Sequence, residues 1–171
     1  MTTPILKTKL FIPPLRRELV PRPRLIERLN AGLDGKLTLI SAPAGFGKTT
    51  LLSEWINQSL VPNPQSLVPN PQYPQFAWVS LDAGDNDPLR FWRYVIAALH
   101  RADSSLGAIA QTALESSQPS LEALVAGLIN DVITHGAQAR HAYILALDDY
   151  HVIETKQIHE SLDYLLDHLP P

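Results

Sequence analysis

Cysteine is absent from the 171 residues. That excludes a disulfide framework and a thiolate zinc site, and it agrees with a cytoplasmic chain. Charge of one sign is lacking too: 14 basic side chains face 17 acidic ones, for a net charge of −3. Neither a nucleic-acid surface nor an anionic-membrane surface follows from such a balance. No apolar run approaches the roughly 20 residues of a membrane span, and Met1-Thr2-Thr3-Pro4 lacks the apolar core of a signal peptide. Several catalytic signatures are missing as well. There is no G-x-S-x-G nucleophile elbow. His159-Glu160 opens an H-E-x-x-H zinc motif that fails at Asp163. The remaining histidines show no metal-binding spacing and read as surface or hydrogen-bonded residues. The acidic turn Asp82–Asp87 is not a calcium loop, because no glycine stands at its sixth place and Arg93 occupies the position of the bidentate glutamate. What remains is a chain 45% apolar, long enough for one domain with a real core.

The most informative stretch is Ser41-Ala42-Pro43-Ala44-Gly45-Phe46-Gly47-Lys48-Thr49-Thr50, which directly follows the apolar run Leu37-Thr38-Leu39-Ile40. It reads as a strand, a glycine-rich turn and then a helix opened by Lys-Thr, the phosphate-binding loop of nucleoside triphosphatases. Backbone N–H groups and the positive end of the helix would cradle anionic oxygens. The expected cradle comprises Pro43, Ala44, Gly45, Phe46, Gly47, Lys48, Thr49 and Thr50. Lys48 would reach the β/γ-phosphates, and the Thr49 hydroxyl would hold Mg²⁺. The strict G-x-x-x-x-G-K-[ST] pattern fails only at Ala42.

A second run, Ala142-Tyr143-Ile144-Leu145-Ala146-Leu147, ends in Asp148-Asp149. Continuous apolar character suits a strand of a parallel sheet buried on both faces, and ligands of such sheets sit beyond the strands' carboxyl ends. Asp148 is therefore the expected Mg²⁺ ligand. Asp149 is the expected catalytic residue, orienting the attacking water or accepting its proton. The plainer alternative is that the pair begins a loop and caps a following helix over about 153–169.

Between these motifs the chain reads as alternating elements. Met1–Pro23 is proline-rich and basic, an extended lead-in without a helix of its own. Leu25, Ile26, Leu29 and Leu33 recur at helical spacing, with Gly35 as the stop. A helix carrying Leu51, Leu52, Trp55 and Ile56 follows the loop. Ser59-Leu60-Val61-Pro62-Asn63-Pro64-Gln65 is then repeated as Ser66-Leu67-Val68-Pro69-Asn70-Pro71-Gln72. The paired prolines make it an extended surface loop that tolerates duplication. Phe76–Leu81 reads as a strand. Asp87-Pro88 are the N-cap and first residue of a helix presenting Leu89, Trp92, Val95, Ile96 and Leu99. Core-facing helices over 121–134 and around Ile158, Leu162, Leu165 and Leu169 complete the chain.

The loop residues 41–50 resemble those of the large ATP-dependent LuxR-type, MalT-like transcriptional regulators, members of the STAND class of P-loop ATPases. Lys9-Leu10, Leu19–Leu25, Trp78–Asp87 and Leu147–Ile153 resemble that family's lead-in, second strand with acidic turn, and Walker B region. The resemblance implies an α/β fold of the three-layer P-loop NTPase type (ASCE/STAND) with a mainly parallel sheet in the order 5-1-4-3-2. Residues 1–35 would form the lead-in and first helix, and 36–171 a partial P-loop domain with the duplicated loop at 59–75. The strand expected between the loop strand and the Asp148 strand would lie beyond Pro171, so the domain reads as truncated and incomplete at its C-terminus. The resemblance also accounts for Ala42 and places Arg22 near the adenine.

Its implied function is a signalling switch. It would bind ATP with Mg²⁺ and hydrolyse it slowly at most, here without the sensor and DNA-binding regions, and the chain alone is expected to bind and hydrolyse poorly. Implied partners are ATP and ADP, and a further copy or a C-terminal remainder. This segment would have no direct DNA contact and no membrane. Two other readings stand beside it: a non-catalytic interaction module with a vestigial loop, and a small P-loop kinase, for which only Arg90, Arg93 and Arg101 are at hand as phosphate-binding arginines.

Overall fold

In the computed structural model, which describes residues 4–15, 20–60, 74–136 and 142–170, two strands form a parallel pair. They are β1 (Gln75–Ser80) and β2 (Tyr143–Asp148), in register from Gln75 opposite Tyr143 to Ser80 opposite Asp148. Parallel pairing requires a crossover connection, supplied here by helices α3 (Pro88–Ala102), α4 (Ala108–Glu115) and α5 (Leu121–Gly136). Helix α6 (Lys156–His168) follows β2, while α1 (Pro23–Ala31) and α2 (Lys48–Leu60) precede β1. The chain divides into two compact units, Met1–Phe11 with Pro74–Pro170 and Ile12–Tyr73 with Pro171. Among the described residues no helix is long and apolar enough to cross a membrane.

In the larger unit, α3 begins where its chemistry allows. The Asp87 carboxylate accepts from Arg90 N at 2.7 Å, and Pro88 takes the first helical place, where its missing N–H costs nothing. The α3 stripe of Trp92, Val95, Ile96 and Leu99 is buried against Ala77 and Val79 of β1 and against Leu124, Val125 and Leu128 of α5. Trp92 Nε1 finds Ser161 Oγ of α6 at 2.9 Å, so the buried indole N–H is satisfied. Helix α4 has no sequence signal at its start: Gly107, its N-cap, has φ 83° and offers no side chain. The cap comes instead from the buried Asp131 of α5, whose Oδ2 accepts from Ile109 N at 3.0 Å. In the smaller unit, Ile26 and Leu29 of α1 and Leu51, Trp55 and Ile56 of α2 are buried, and Trp55 Nε1 donates to Asn30 Oδ1 at 2.8 Å.

Three expectations need correction. The lead-in is not wholly extended, since Lys7–Leu10 form a 3-10 turn with Leu10 buried. The expected strand Leu37–Ile40 is not a strand. No β partner is assigned to it, and Leu37 and Leu39 are 70% and 79% exposed, because extended backbone becomes a strand only when a neighbour accepts its ladder. The described sheet therefore has two strands, which establishes a parallel α/β arrangement but not three layers. Finally, β2 is only partly covered: Ala146 and Asp148 are buried, while Tyr143, Ile144, Leu145 and Leu147 are half-buried. Of the duplicated heptapeptides, Ser59 and Leu60 close α2, and residues 61–73 lie outside the described residues.

The acidic turn after β1 is a 3-10 turn, Ala83–Asn86, closed by a capping box. Asp82 Oδ1 accepts from Gly84 N at 2.8 Å, and Asp85 Oδ2 accepts from Asp82 N at 2.9 Å. Asp85 is fully buried and is also held by Lys9 Nζ and by Arg90 Nε at 3.1 Å. Burial pulls the Lys9 pKa down, but the hydrogen bonds and charges of Asp82 and Asp85 together leave it above its ordinary 10.5. The Lys9 hydrogen bond in turn holds the Asp82 carboxyl below its ordinary 3.8. A depressed carboxyl stabilises the fold above its unfolded pKa, and that contribution is lost as pH falls through the folded value. Lys9→Met should cost about 2 kcal/mol at pH 7. That is less than the roughly 3–5 kcal/mol for stripping a buried ion of its partner, because Arg90 still holds Asp85. The variant should also lose part of the acid-side drop in stability below pH 3.8. Denaturant titrations at pH 7 and pH 3 check both.

Candidate functional site

The loop before α2 is built on two left-handed glycines, Gly45 at φ 82° and Gly47 at φ 75°. Side chains rarely adopt this region, so glycine is what lets the backbone turn twice within three residues. Phe46 N closes the turn on Pro43 O at 3.4 Å, and Leu51 N makes the first helical bond to Gly47 O at 2.9 Å. Ala42 is not among the positive-φ residues. Its part is to offer a carbonyl, which any residue supplies, so the missing first glycine of the motif costs the loop nothing.

Two cations converge on this turn. Lys48 Nζ donates to Ala42 O at 2.8 Å and to Pro43 O at 3.4 Å. Arg22 Nη1 reaches Phe46 O at 3.3 Å and Gly47 O at 3.4 Å. The groove beside them, about 330 Å³, is also lined by Arg28, Thr38, Ser41 and Leu51, and none of its lining residues is acidic. Three cations without an anion, at the N-terminus of a 13-residue helix whose first N–H groups lack intrahelical acceptors, make a donor set suited to phosphate oxygens. Arg22 lies against the loop backbone itself.

The acidic pair belongs to the other unit. Asp148 is the last residue of β2, buried, with its carbonyl accepting from Leu81 N at 3.0 Å. Asp149 then turns the chain with φ 57° and ψ 31°, alone among described non-glycine residues in having positive φ. Aspartate tolerates this region better than most residues, but the conformation stores strain that must be held by its surroundings. Its side chain is half exposed, with His151 Nδ1 3.8 Å from Oδ1. Neither aspartate caps α6; Thr155 occupies that place. The plainer alternative therefore holds in one half and fails in the other: the pair does begin a loop, with Asp149 opening the 3-10 turn Tyr150–Val152, but it does not cap α6. Downstream, the Tyr150 ring stands edge-on to His159, which bonds its hydroxyl.

Two residues near this pair escaped the sequence reading. Asp85 appeared only as part of an acidic turn, although Asp82-x-x-Asp85 has the spacing of a capping box. Nothing local signals its burial. Asn86, beside it, makes long-range hydrogen bonds to residues 152–155.

No family model matches the chain. Curated relatives do. Over 163 residues the chain is 32% identical to the HTH-type transcriptional regulator MalT of Vibrio campbellii and 31% identical to that of Vibrio cholerae. It is 34% identical over 167 residues to that of Cronobacter sakazakii. These matches take in 95–97% of this chain and 16% of each relative. The chain is thus homologous, along nearly all its length, to one segment of MalT-type transcriptional regulators.

The loop geometry sets a graded cost for added methyl groups. A Cβ at Gly47 would meet Arg22 Nη1 and Nη2 at 3.1 Å, whereas one at Gly45 would meet nothing within 4 Å. Gly45→Ala should cost about 1–2 kcal/mol for the left-handed backbone alone. Gly47→Ala should cost more, and the excess should vanish in an Arg22→Ala background. Thermal unfolding of the four variants measures this.

Proposed function

We propose, from its homology to one segment of the MalT-type transcriptional regulators, that this chain is an ATP-binding switch element that hydrolyses its nucleotide slowly at most. The observation that carries the reading is the acid-free groove at the start of α2, where Lys48 and Arg22 both bond the loop carbonyls and Arg28 stands nearby. A loop that binds its own cations so closely has them in place for an incoming oxyanion. The cost of ordering them is met in advance, which supports measurable phosphate binding even in a chain expected to bind nucleotide poorly.

Each residue then has a defined task. The amides of 44–50 and Lys48 take phosphate oxygens. Arg22 holds the loop in shape through Phe46 and Gly47 and adds positive charge. In the smaller unit Thr49 offers a hydroxyl to Mg²⁺; in the larger unit Asp148 is the carboxylate suited to that ion and Asp149 the one that would orient water or take its proton. Bound Mg²⁺ would supply neutralisation of the phosphate charge. A buried Asp148 and a half-exposed Asp149 suit these two roles, since a metal ligand gains from a fixed carboxylate and a base needs contact with water. The relatives' names make a regulatory role the fitting one: the nucleotide sets a state of the protein, and turnover resets it. The kinase reading has less support, because Arg90 is committed to Asp85.

Calorimetric titration with Mg·ATP tests the proposal. The chain should bind, and Lys48→Ala should weaken binding by about 10–100-fold, the worth of one or two charge-assisted hydrogen bonds. Equal affinity of the two proteins would leave a loop that keeps its shape without a ligand, and the reading would fall.

A further inference from the structure

The Asp149 turn is fastened from outside by one side chain. Asn86 closes the 3-10 turn that follows β1. Its Nδ2 donates to Val152 O at 2.8 Å, and its Oδ1 accepts from Glu154 N at 2.7 Å and Thr155 N at 3.1 Å. Its backbone carbonyl accepts from Thr155 Oγ1 at 2.7 Å. These bonds join residues 66–69 positions apart. The same amide nitrogen also donates to Ala83 O at 3.1 Å, so this primary amide serves two carbonyls as donor and two amides as acceptor; a carboxylate cannot donate, and an aliphatic side chain does neither.

What the clamp grips is the far end of a short turn. Val152 N bonds Asp149 O at 3.1 Å, and Ile153 N bonds Tyr150 O at 3.0 Å. Two residues, Tyr150 and His151, therefore separate the grip at Val152 from the left-handed Asp149. What the clamp stands on is rigid. Asp85, adjacent to Asn86, is fully buried between Lys9 and Arg90. The strand ends are also fixed side by side, Ser80 opposite Asp148.

We infer that Asn86 is a positioning residue for Asp149, holding the strained turn so that its carboxylate keeps one direction. This rests on the nucleotide reading of the preceding subsection, in which that carboxylate serves a magnesium-bound triphosphate. Groups that orient the residues of a metal site from behind change activity by about 10–100-fold when removed.

The test uses Asn86→Ala and the gentler Asn86→Asp, which keeps the acceptor and loses the donations to Ala83 O and Val152 O. Thermal unfolding confirms that each folds. The first readout needs no nucleotide: the Cα chemical shift and HN–Hα coupling of Asp149 report its φ. Both variants should shift them away from left-handed values, Asn86→Ala further. An unchanged Asp149 signal in a folded Asn86→Ala protein overturns the inference, whatever becomes of nucleotide binding. The second readout compares single-turnover hydrolysis of Mg·ATP with its affinity. Asn86→Ala should lose about tenfold in the hydrolysis rate, because Asp149 is the group that orients water, while the Lys48-dependent affinity stays as in the wild type. An unchanged hydrolysis rate with a displaced Asp149 makes the clamp merely structural and overturns the inference alone. Wild-type protein without Lys48-dependent binding overturns the nucleotide reading and the positioning role with it.

Discussion

A carboxylate cannot sit in an apolar interior without partners, and Asp85 sits there completely enclosed. Its needs organise the larger unit. Lys9 must fold back to it, which turns the lead-in into a 3-10 turn and carries Leu10 into the core. Arg90 must reach it from the first turn of α3, and the Asp82 amide must donate to it, which closes the bend after β1. Lys9 and Arg90 also lie over the Tyr94 ring, 4.8 and 5.9 Å from its centroid. The ion group is therefore packed as well as paired, and Asn86 is delivered beside residues 152–155 by the same bend.

The loop before α2 follows the opposite electrostatic logic. There the cations gather, the acids are excluded, and the partners are backbone carbonyls. Carbonyls are weaker partners for a cation than carboxylates are, so Lys48 and Arg22 stay available to a more highly charged oxygen ligand. One buried acid makes a rigid frame; one acid-free groove makes a receptive surface.

The sequence was most legible where a local rule decides the structure. Asp87-Pro88 opens α3 as its cap chemistry dictates, Gly45 and Gly47 take the left-handed turns the loop motif requires, and the stripes of α3 and α5 point inward. It was least legible where a distant partner decides. Helix α4 is capped by Asp131 from another helix, Asp85 is buried by Lys9 from the lead-in, and Leu37–Ile40 reads as a strand by composition yet has no ladder partner assigned. The candidate site divides the same way. The glycine loop and the aspartate pair could be read directly, whereas the left-handed backbone of Asp149 and its clamp by Asn86 depend on contacts more than sixty residues apart in sequence.

The central claim, a proposal, is that the loop amides around Lys48 receive a nucleotide's phosphates. Hydrogen–deuterium exchange of the chain with and without Mg·ATP tests it most directly. The account predicts slowed exchange at the amides of residues 44–50, with the α3–α5 core unchanged. Protection that misses the 44–50 amides, or no protection at a nucleotide concentration that saturates binding, would contradict it.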